Sequence, residues 1–242
     1  MGVGGGIVLV PLLVHALHMA QHEAQGTSLA FVIVTALVAV VPYYGHEKLD
    51  LALALWLTLG ALPGVLRGSR LADRTSAARL RIAFGAVILV TAIRLLAAPP
   101  QAGSGAALWP ALLNVLAGFL AGTLAGYVGI GGGTVLVPIL VLGQNVDQHT
   151  AQGVSLLMIV PVGIVGVASY ARRGRIGHQG LPMLLAGGAI GALAGALLAH
   201  HTKAPTLTRL FGILLLATAA QMIFGRQRGN VPRSAEPSGG IS

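Results

Sequence analysis

Two glycine triplets and two polar clusters are the parts of this sequence whose residue types and spacing could do chemistry. The triplets are Gly4, Gly5, Gly6 and Gly131, Gly132, Gly133. The clusters are Gln21-His22-x-Ala24-Gln25-Gly26-x-Ser28 and Gln148-His149-x-Ala151-Gln152-Gly153-x-Ser155. Each glycine costs a helix about 1 kcal/mol relative to alanine, so three in a row break one. Where the helix resumes, at Ile7 and at Thr134, unpaired N–H groups and a positive dipole end face the break, which favours an anion. Gln25, Ser28, Gln152 and Ser155 add neutral donors, and His22 and His149 can add a charge that depends on protonation. The same residues have plainer uses: glycine lets helices pack closely, and serine caps helix ends.

The elements that hold these groups are apolar. Of the 242 residues, 55% are hydrophobic and 9% charged, against about 25% charged in a soluble domain. Apolar runs cover Gly26 to Tyr43, Leu51 to Leu66, Ile82 to Ala98, Gly153 to Ala171, Leu181 to Ala199 and Leu207 to Phe224. Each approaches or reaches the ~17–25 residues that cross hydrocarbon as a helix, and none shows the polar stripe of a soluble bundle. The fold class read from them is an all-α, polytopic transmembrane helical bundle. Non-helical backbone at membrane depth survives only against protein or a water-filled cavity, so the glycine triplets imply such a cavity near the midplane. The net charge of +9 comes from Lys and Arg placed between apolar runs, as topology signals are, so no nucleic-acid partner is expected. The absence of cysteine excludes disulfides, zinc–thiolate sites and thiol catalysis.

The triplets and clusters belong to an internal duplication. Gly2 to Pro11 recurs as Gly129 to Pro138, and Gln21 to Leu29 as Gln148 to Leu156, both at an offset of 127 residues. The same offset pairs Gly60, Gly64 and Gly68 with Gly187, Gly191 and Gly195, and Phe84-Gly85 with Phe211-Gly212. A period this long means two structural halves rather than a solenoid, and internal symmetry is usual in transporters. The domains read from it are a first repeat over 1–98, a linker over 99–111, a second repeat over 112–224 and a disordered cytoplasmic tail over 225–242. The second repeat opens with an apolar, Gly-rich stretch, Leu112 to Tyr127, that has no counterpart in the first; a chain that starts late is the expectation.

Charge orients the halves. The segment from Leu112 to Gly143 is too long for one simple span and is broken at its centre. If it crosses, the 15 Lys and Arg divide almost evenly between the two sides. If it enters and returns, Arg67, Arg70, Arg74, Arg79, Arg81, Arg172, Arg173, Arg175, Arg226, Arg228 and Arg233 share the cytoplasmic side, as the positive-inside rule prefers. The expectation is two inverted repeats, each a glycine-broken re-entrant hairpin plus three spanning helices.

The acids Glu23, Glu47, Asp50, Asp73, Asp147 and Glu236 all lie between or beyond the apolar runs. Carriers of protons and cations usually keep a carboxylate within the membrane, so an anion is the expected substrate. His22 and His149 fall at opposite faces without an acidic cluster, which argues against a metal site. No cofactor is expected. No Gly-x-Ser-x-Gly, paired intramembrane Asp or His-Glu-x-x-His supports an intramembrane enzyme; a non-transporting accessory membrane protein is the other alternative.

The paired Gly-x-Gly-Gly-Gly-x-x-x-Val-Pro segments, each followed by His-x-Ala-x-Gly-x-Ser-Leu, resemble the sulfite exporter TauE/SafE family, also called the 4-toluene sulfonate uptake permease family. The resemblance runs from about Gly2 to Phe224. It implies a multi-pass inner-membrane transporter of sulfite, sulfonates or related organosulfur anions. The matching positions are Gly4, Gly5, Gly6, Pro11, Ala24, Gly26, Thr27 and Ser28, then Gly131, Gly132, Gly133, Pro138, Ala151, Gly153 and Ser155. Thr27 is matched by Val154, so its hydroxyl is present in one half only. The expected partners are a small anion and the bilayer, with assembly as a homo-oligomer left open.

Overall fold

The computed structural model describes residues 5–41, 50–72, 85, 88–90, 92–93, 96–97, 109–177 and 180–224, and among them there are helices and turns but no strand. The helices are α1 (Gly6–Ala16), α2 (Gln21–Val40), α3 (Leu51–Leu71), α4 (Ala111–Val128), α5 (Gly133–Pro138), α6 (Gln148–Ala171), α7 (Leu181–His200) and α8 (Ala204–Phe224). A π-helical turn, Ile139–Gly143, continues α5. Pro138 has no N–H to give the ladder, and the wider turn begins directly after it. Five helices are long and apolar enough to cross a membrane: α2 from His22, α3, α4, α6, and α7 as far as Ala199. Of the expected span over 82–98, residues 85, 88–90, 92–93 and 96–97 are described and helical, with Ile88 and Ala92 buried, and the rest of it, most of the linker and the tail lie outside the described residues.

Helix starts and breaks follow local chemistry. Asp50 caps α3 by accepting from Leu53 N–H at 2.9 Å, and Asp147 caps α6 by accepting from His149 N–H at 2.8 Å. Gly129, Gly131 and Gly132 have φ of 79°, 83° and 79°. That left-handed region suits residues without a Cβ, so α4 stops and α5 starts afresh. After the break the chain runs back along α4. Gly132 abuts Ala121, a Cβ on Gly143 would meet the Trp109 ring at 2.9 Å, and Gln144 Nε2 donates to Asn114 Oδ1 at 2.7 Å. The returning limb therefore ends beside the start of α4.

The duplication is present in the backbone as well. Gly5 and Gly132 each precede a helix with φ of 74° and 79°. The non-glycine residues with positive φ are His18 and Asn145, at 52° and 51°. Each lies in a turn where an N–H reaches back six residues, Met19 to Leu13 O at 3.2 Å and Val146 to Leu140 O at 3.1 Å. The left-handed residue ends the helix as in a Schellman motif, with the closing bond one residue wider. Every one of these pairs differs by 127 residues.

Two packings organise the molecule. Helices α2 and α6 run antiparallel, with Gly26 against Tyr170, Leu29 against Gly166 and Ile33 against Gly163. Helices α3 and α4 run parallel and mesh two glycine ribbons. Gly60, Gly64 and Gly68 press on the α4 backbone at Val115, Phe119 and Thr123, while Gly118, Gly122 and Gly126 press on Leu57, Ala61 and Val65. A Cβ at any of the six would collide with main chain, so the small residues set the approach. Helix α6 also lies beside α3, where Arg173 Nη1 donates to Ser69 O at 2.8 Å and the Ser69 and Ser169 hydroxyls are 2.9 Å apart.

Candidate functional site

The first polar cluster lies inside α2, not ahead of it. Ser28 and Ser155 are the eighth residues of α2 and α6. The capping role considered for them is therefore excluded: Asp147 caps α6, and Ala20 precedes α2 with no side-chain cap. Ala24, Gln25, Gly26, Thr27 and Ser28 are all buried, as are Ala151, Gln152, Gly153 and Ser155. His22 and His149 are half-buried. Helices α1 and α5 start at Gly6 and Gly133, one residue ahead of the expected Ile7 and Thr134. Gly4 and the Ile7 side chain lie outside the described residues.

The structure brings the two breaks together between α2 and α6. A Cβ on Gly6 would stand 2.9 Å from Ile130 Cα, 2.9 Å from Val32 Cγ2 and 3.0 Å from Ser28 Oγ. The Ser28 hydroxyl donates to Gly6 O at 3.5 Å, a length at which the bond is weak. A Cβ on Gly131 would stand 2.6 Å from Val32 Cγ1 and 3.7 Å from Ile159 Cγ2. Val32 and Ile159 are themselves 127 residues apart. One on Gly129 would stand 2.8 Å from Gln25 Cα. The second break thus runs from the level of Gln25 to that of Val32, about 6 to 17 Å along α2 from Gln21 at 1.5 Å per residue. It reaches the middle of the helix and extends from there towards its start. In each of these places protein atoms crowd the glycine.

Gln25 anchors a network. Its Oε1 accepts from the Tyr170 hydroxyl at 3.2 Å and lies 3.3 Å from His22 Nδ1, while the Tyr170 hydroxyl also reaches Gly126 O at 2.8 Å. Thr27 Oγ1 accepts from Gly177 N–H at 2.9 Å. The first cluster is therefore bound to the end of α6 and to the last turn of α4. On the second break, Tyr127 and Thr134 flank the glycines, and both hydroxyls are buried without a hydrogen-bond partner, as are both amide atoms of Gln148 and Nδ1 of His149. Burial of an unpaired polar group costs roughly 1–3 kcal/mol. The Tyr127 and Thr134 hydroxyls and Gln148 Nε2 can donate to an anionic oxygen, and no trio of His, Cys, Asp or Glu able to hold a metal occurs among the described residues.

Three participants were missed from the sequence. Tyr170 is one, although its recurrence as Tyr43 at the same offset was a usable signal. The buried Asn114–Gln144 pair is the second. Tyr127, beside the break, is the third.

Helical described residues with several apolar spans, a buried glycine break at Gly131 to Gly133, a second break that meets it at Gly6, and a cluster of neutral donors have the construction of a membrane carrier. The family model for sulfite exporter TauE/SafE matches residues 1–237, and the chain belongs to this family. It is similar to a "Probable membrane transporter protein" of Xylella fastidiosa, 27% identical over 231 residues, covering 93% of this chain and 88% of the relative. It is similar to "Probable membrane transporter protein YunE" of Bacillus subtilis, 24% identical over 252 residues, with 92% and 91% covered. A "Probable membrane transporter protein" of Haemophilus influenzae is 29% identical over 251 residues, with 91% and 90% covered. No solved structure matches. The protein is a multi-pass membrane transporter and not an enzyme.

Proposed function

We propose that the chain moves a small anion, such as sulfite, a sulfonate or a related organosulfur anion, across the inner membrane between two inverted repeats. Each repeat has a re-entrant hairpin and three spanning helices, within 1–98 and 112–224. The observation that carries this reading is the meeting of the two breaks, Gly6 against Ile130, between antiparallel helices that occupy equivalent places in the duplication. The return of 133–143 to Trp109 and Asn114 supports a hairpin. The bond from Arg173 to Ser69 brings the ends of α3 and α6 together, and with them Arg67, Arg70, Arg172 and Arg175. This supports the cytoplasmic placement of those residues.

The site consists of N–H groups at the breaks, Gly4, Gly5, Gly6, Ile7 and Gly131, Gly132, Gly133, Thr134. The side chains of Gln25, Thr27, Ser28, Gln152 and Ser155 add to it, with the main chain of Gly153 and of Gly26, whose open side is packed by Arg175 O and Tyr170. A carrier must release its substrate, and neutral donors bind an anion without the trapping that a buried Arg or Lys would impose. Hydrogen bonds to charged groups contribute about 1.5–3 kcal/mol. Ser28→Ala and Ser155→Ala should therefore each weaken apparent affinity by about tenfold, and the double change by more. The measurement is uptake of labelled sulfite and sulfonates by proteoliposomes at matched protein level. Unchanged flux and affinity in the double variant would place the site elsewhere.

A further inference from the structure

The hydroxyls inside the helices follow one pattern, and two depart from it. Thr35, Thr58, Thr123 and Thr218 each donate to the carbonyl four residues earlier, at 3.1, 2.7, 2.7 and 2.8 Å. This back-bond satisfies a threonine where no water is at hand. The Ser28 hydroxyl uses Gly6 O, those of Ser69 and Ser169 pair with each other, and that of Tyr170 reaches Gln25 and Gly126. Among the described residues, the fully buried hydroxyls left without a partner are those of Tyr127 and Thr134. They stand on the two sides of one glycine break.

Local structure explains the exception. Thr134 is the second residue of α5. Four residues before it lies Ile130, inside the break, where Gly129, Gly131 and Gly132 have left-handed φ, so no helical turn supplies a carbonyl. Tyr127 lies in the last turn of α4, and the carbonyl beside it, Gly126 O, is already taken by the Tyr170 hydroxyl. Both residues are nonetheless deeply buried, with 5% of Tyr127 and 1% of Thr134 exposed. The break itself does not need the Thr134 hydroxyl, since the 127-residue offset places Ile7 at the equivalent position of the first repeat.

We propose that the Tyr127 and Thr134 hydroxyls bind the transported oxyanion at the second break. A buried hydroxyl with no partner lowers stability, and an apolar side chain of the same shape would serve the fold better. A sulfite or sulfonate head presents three oxygens, and hydroxyls from the two sides of the break can each donate to one of them. The proposal rests on the reading that an anion occupies the breaks, and assigns side chains that hold it there.

The test compares the full chain with Tyr127→Phe, Thr134→Val and the double variant. Melting temperature in detergent is followed across a range of sulfite and of methanesulfonate concentrations, because a ligand of the folded state raises it in proportion to affinity. Each single change should weaken affinity by about tenfold, as expected for one hydrogen bond to a charged group. Thr134→Ser should recover most of what Thr134→Val loses; failure to recover it would assign the loss to packing and overturn the role of that hydroxyl. Without anion, Tyr127→Phe and Thr134→Val should melt no lower than the unmodified chain, because each removes an unpaired buried group. A lower melt without anion, at any affinity, would overturn the proposal in favour of a structural bond to protein or water. Unchanged affinity in the double variant would overturn it while leaving the anion reading standing. An unmodified chain whose melt neither anion shifts would overturn the anion reading itself, and this proposal with it.

Discussion

The Tyr170 hydroxyl is the residue-scale feature that ties most elements together, reaching Gln25 on α2 and the carbonyl of Gly126 on α4 from its place on α6. Tyr170→Phe keeps the Tyr170 Cβ packing against Gly26 and removes the hydroxyl that reaches Gln25 Oε1 and Gly126 O. A loss of about 1–3 kcal/mol is expected, read as a lower melting temperature in detergent; an unaltered melt would show that the hydroxyl contributes nothing to the junction. The glycines and the Gln–Ser clusters could be found from the sequence because each occurs twice in an otherwise apolar chain. The recurrence of Tyr170 as Tyr43 could have marked it out, but nothing in the sequence says what a tyrosine among apolar residues will face. Its partners come from sequence positions 145 and 44 residues away, which no periodicity connects. The serines were legible as polar residues at the opening of a spanning helix, but that each lies two turns inside it, beyond the reach of a cap, was not, because the apolar runs begin at Gly26 and Gly153 while the helices begin at Gln21 and Gln148.

At the scale of elements, the start of α6 after Asp147 follows from cap chemistry and the break between α4 and α5 from glycine, and the break could be read in advance. The parallel meshing of α3 with α4 could not. The four-residue spacing of Gly118, Gly122 and Gly126 was visible, but spacing names no partner. Equivalent glycines on α3 and α7 now separate two consequences of one substitution. Gly64→Leu drives a side chain into the backbone of Phe119 and Thr123, and should abolish monodisperse protein. Gly191→Leu meets nothing within the chain, and should leave size-exclusion behaviour unchanged. Equal damage from both would mean that the chain itself covers α7.

For the whole molecule, the proposed inverted arrangement makes a prediction about sidedness. Pro110→Cys and Asn145→Cys, at the two ends of the segment that leaves and returns, should react with an impermeant maleimide from the same side, and Gly174→Cys from the other. Labelling of Pro110→Cys and Asn145→Cys from opposite sides would make that segment a broken crossing helix and the repeats parallel. The duplication was legible because its offset never changes, and the orientation proposed for the halves rests on how uneven Arg is along the chain. Which halves would touch, and where, was not, since a repeat fixes equivalence and leaves the symmetry axis free.

The order of synthesis adds a consequence of the α3–α4 ribbon. Leu57 waits for Gly118, about sixty residues later, and at ~5–20 residues per second that is roughly 3–12 s on the ribosome. Throughout that interval the α3 groove has no mate. A nascent chain is then open to capture by any small-faced helix in the same membrane, and to insertion chaperones that recognise such grooves. Slowing translation between Ala72 and Trp109 should lengthen this window and lower the yield of folded protein, while leaving the finished protein's melting temperature unchanged.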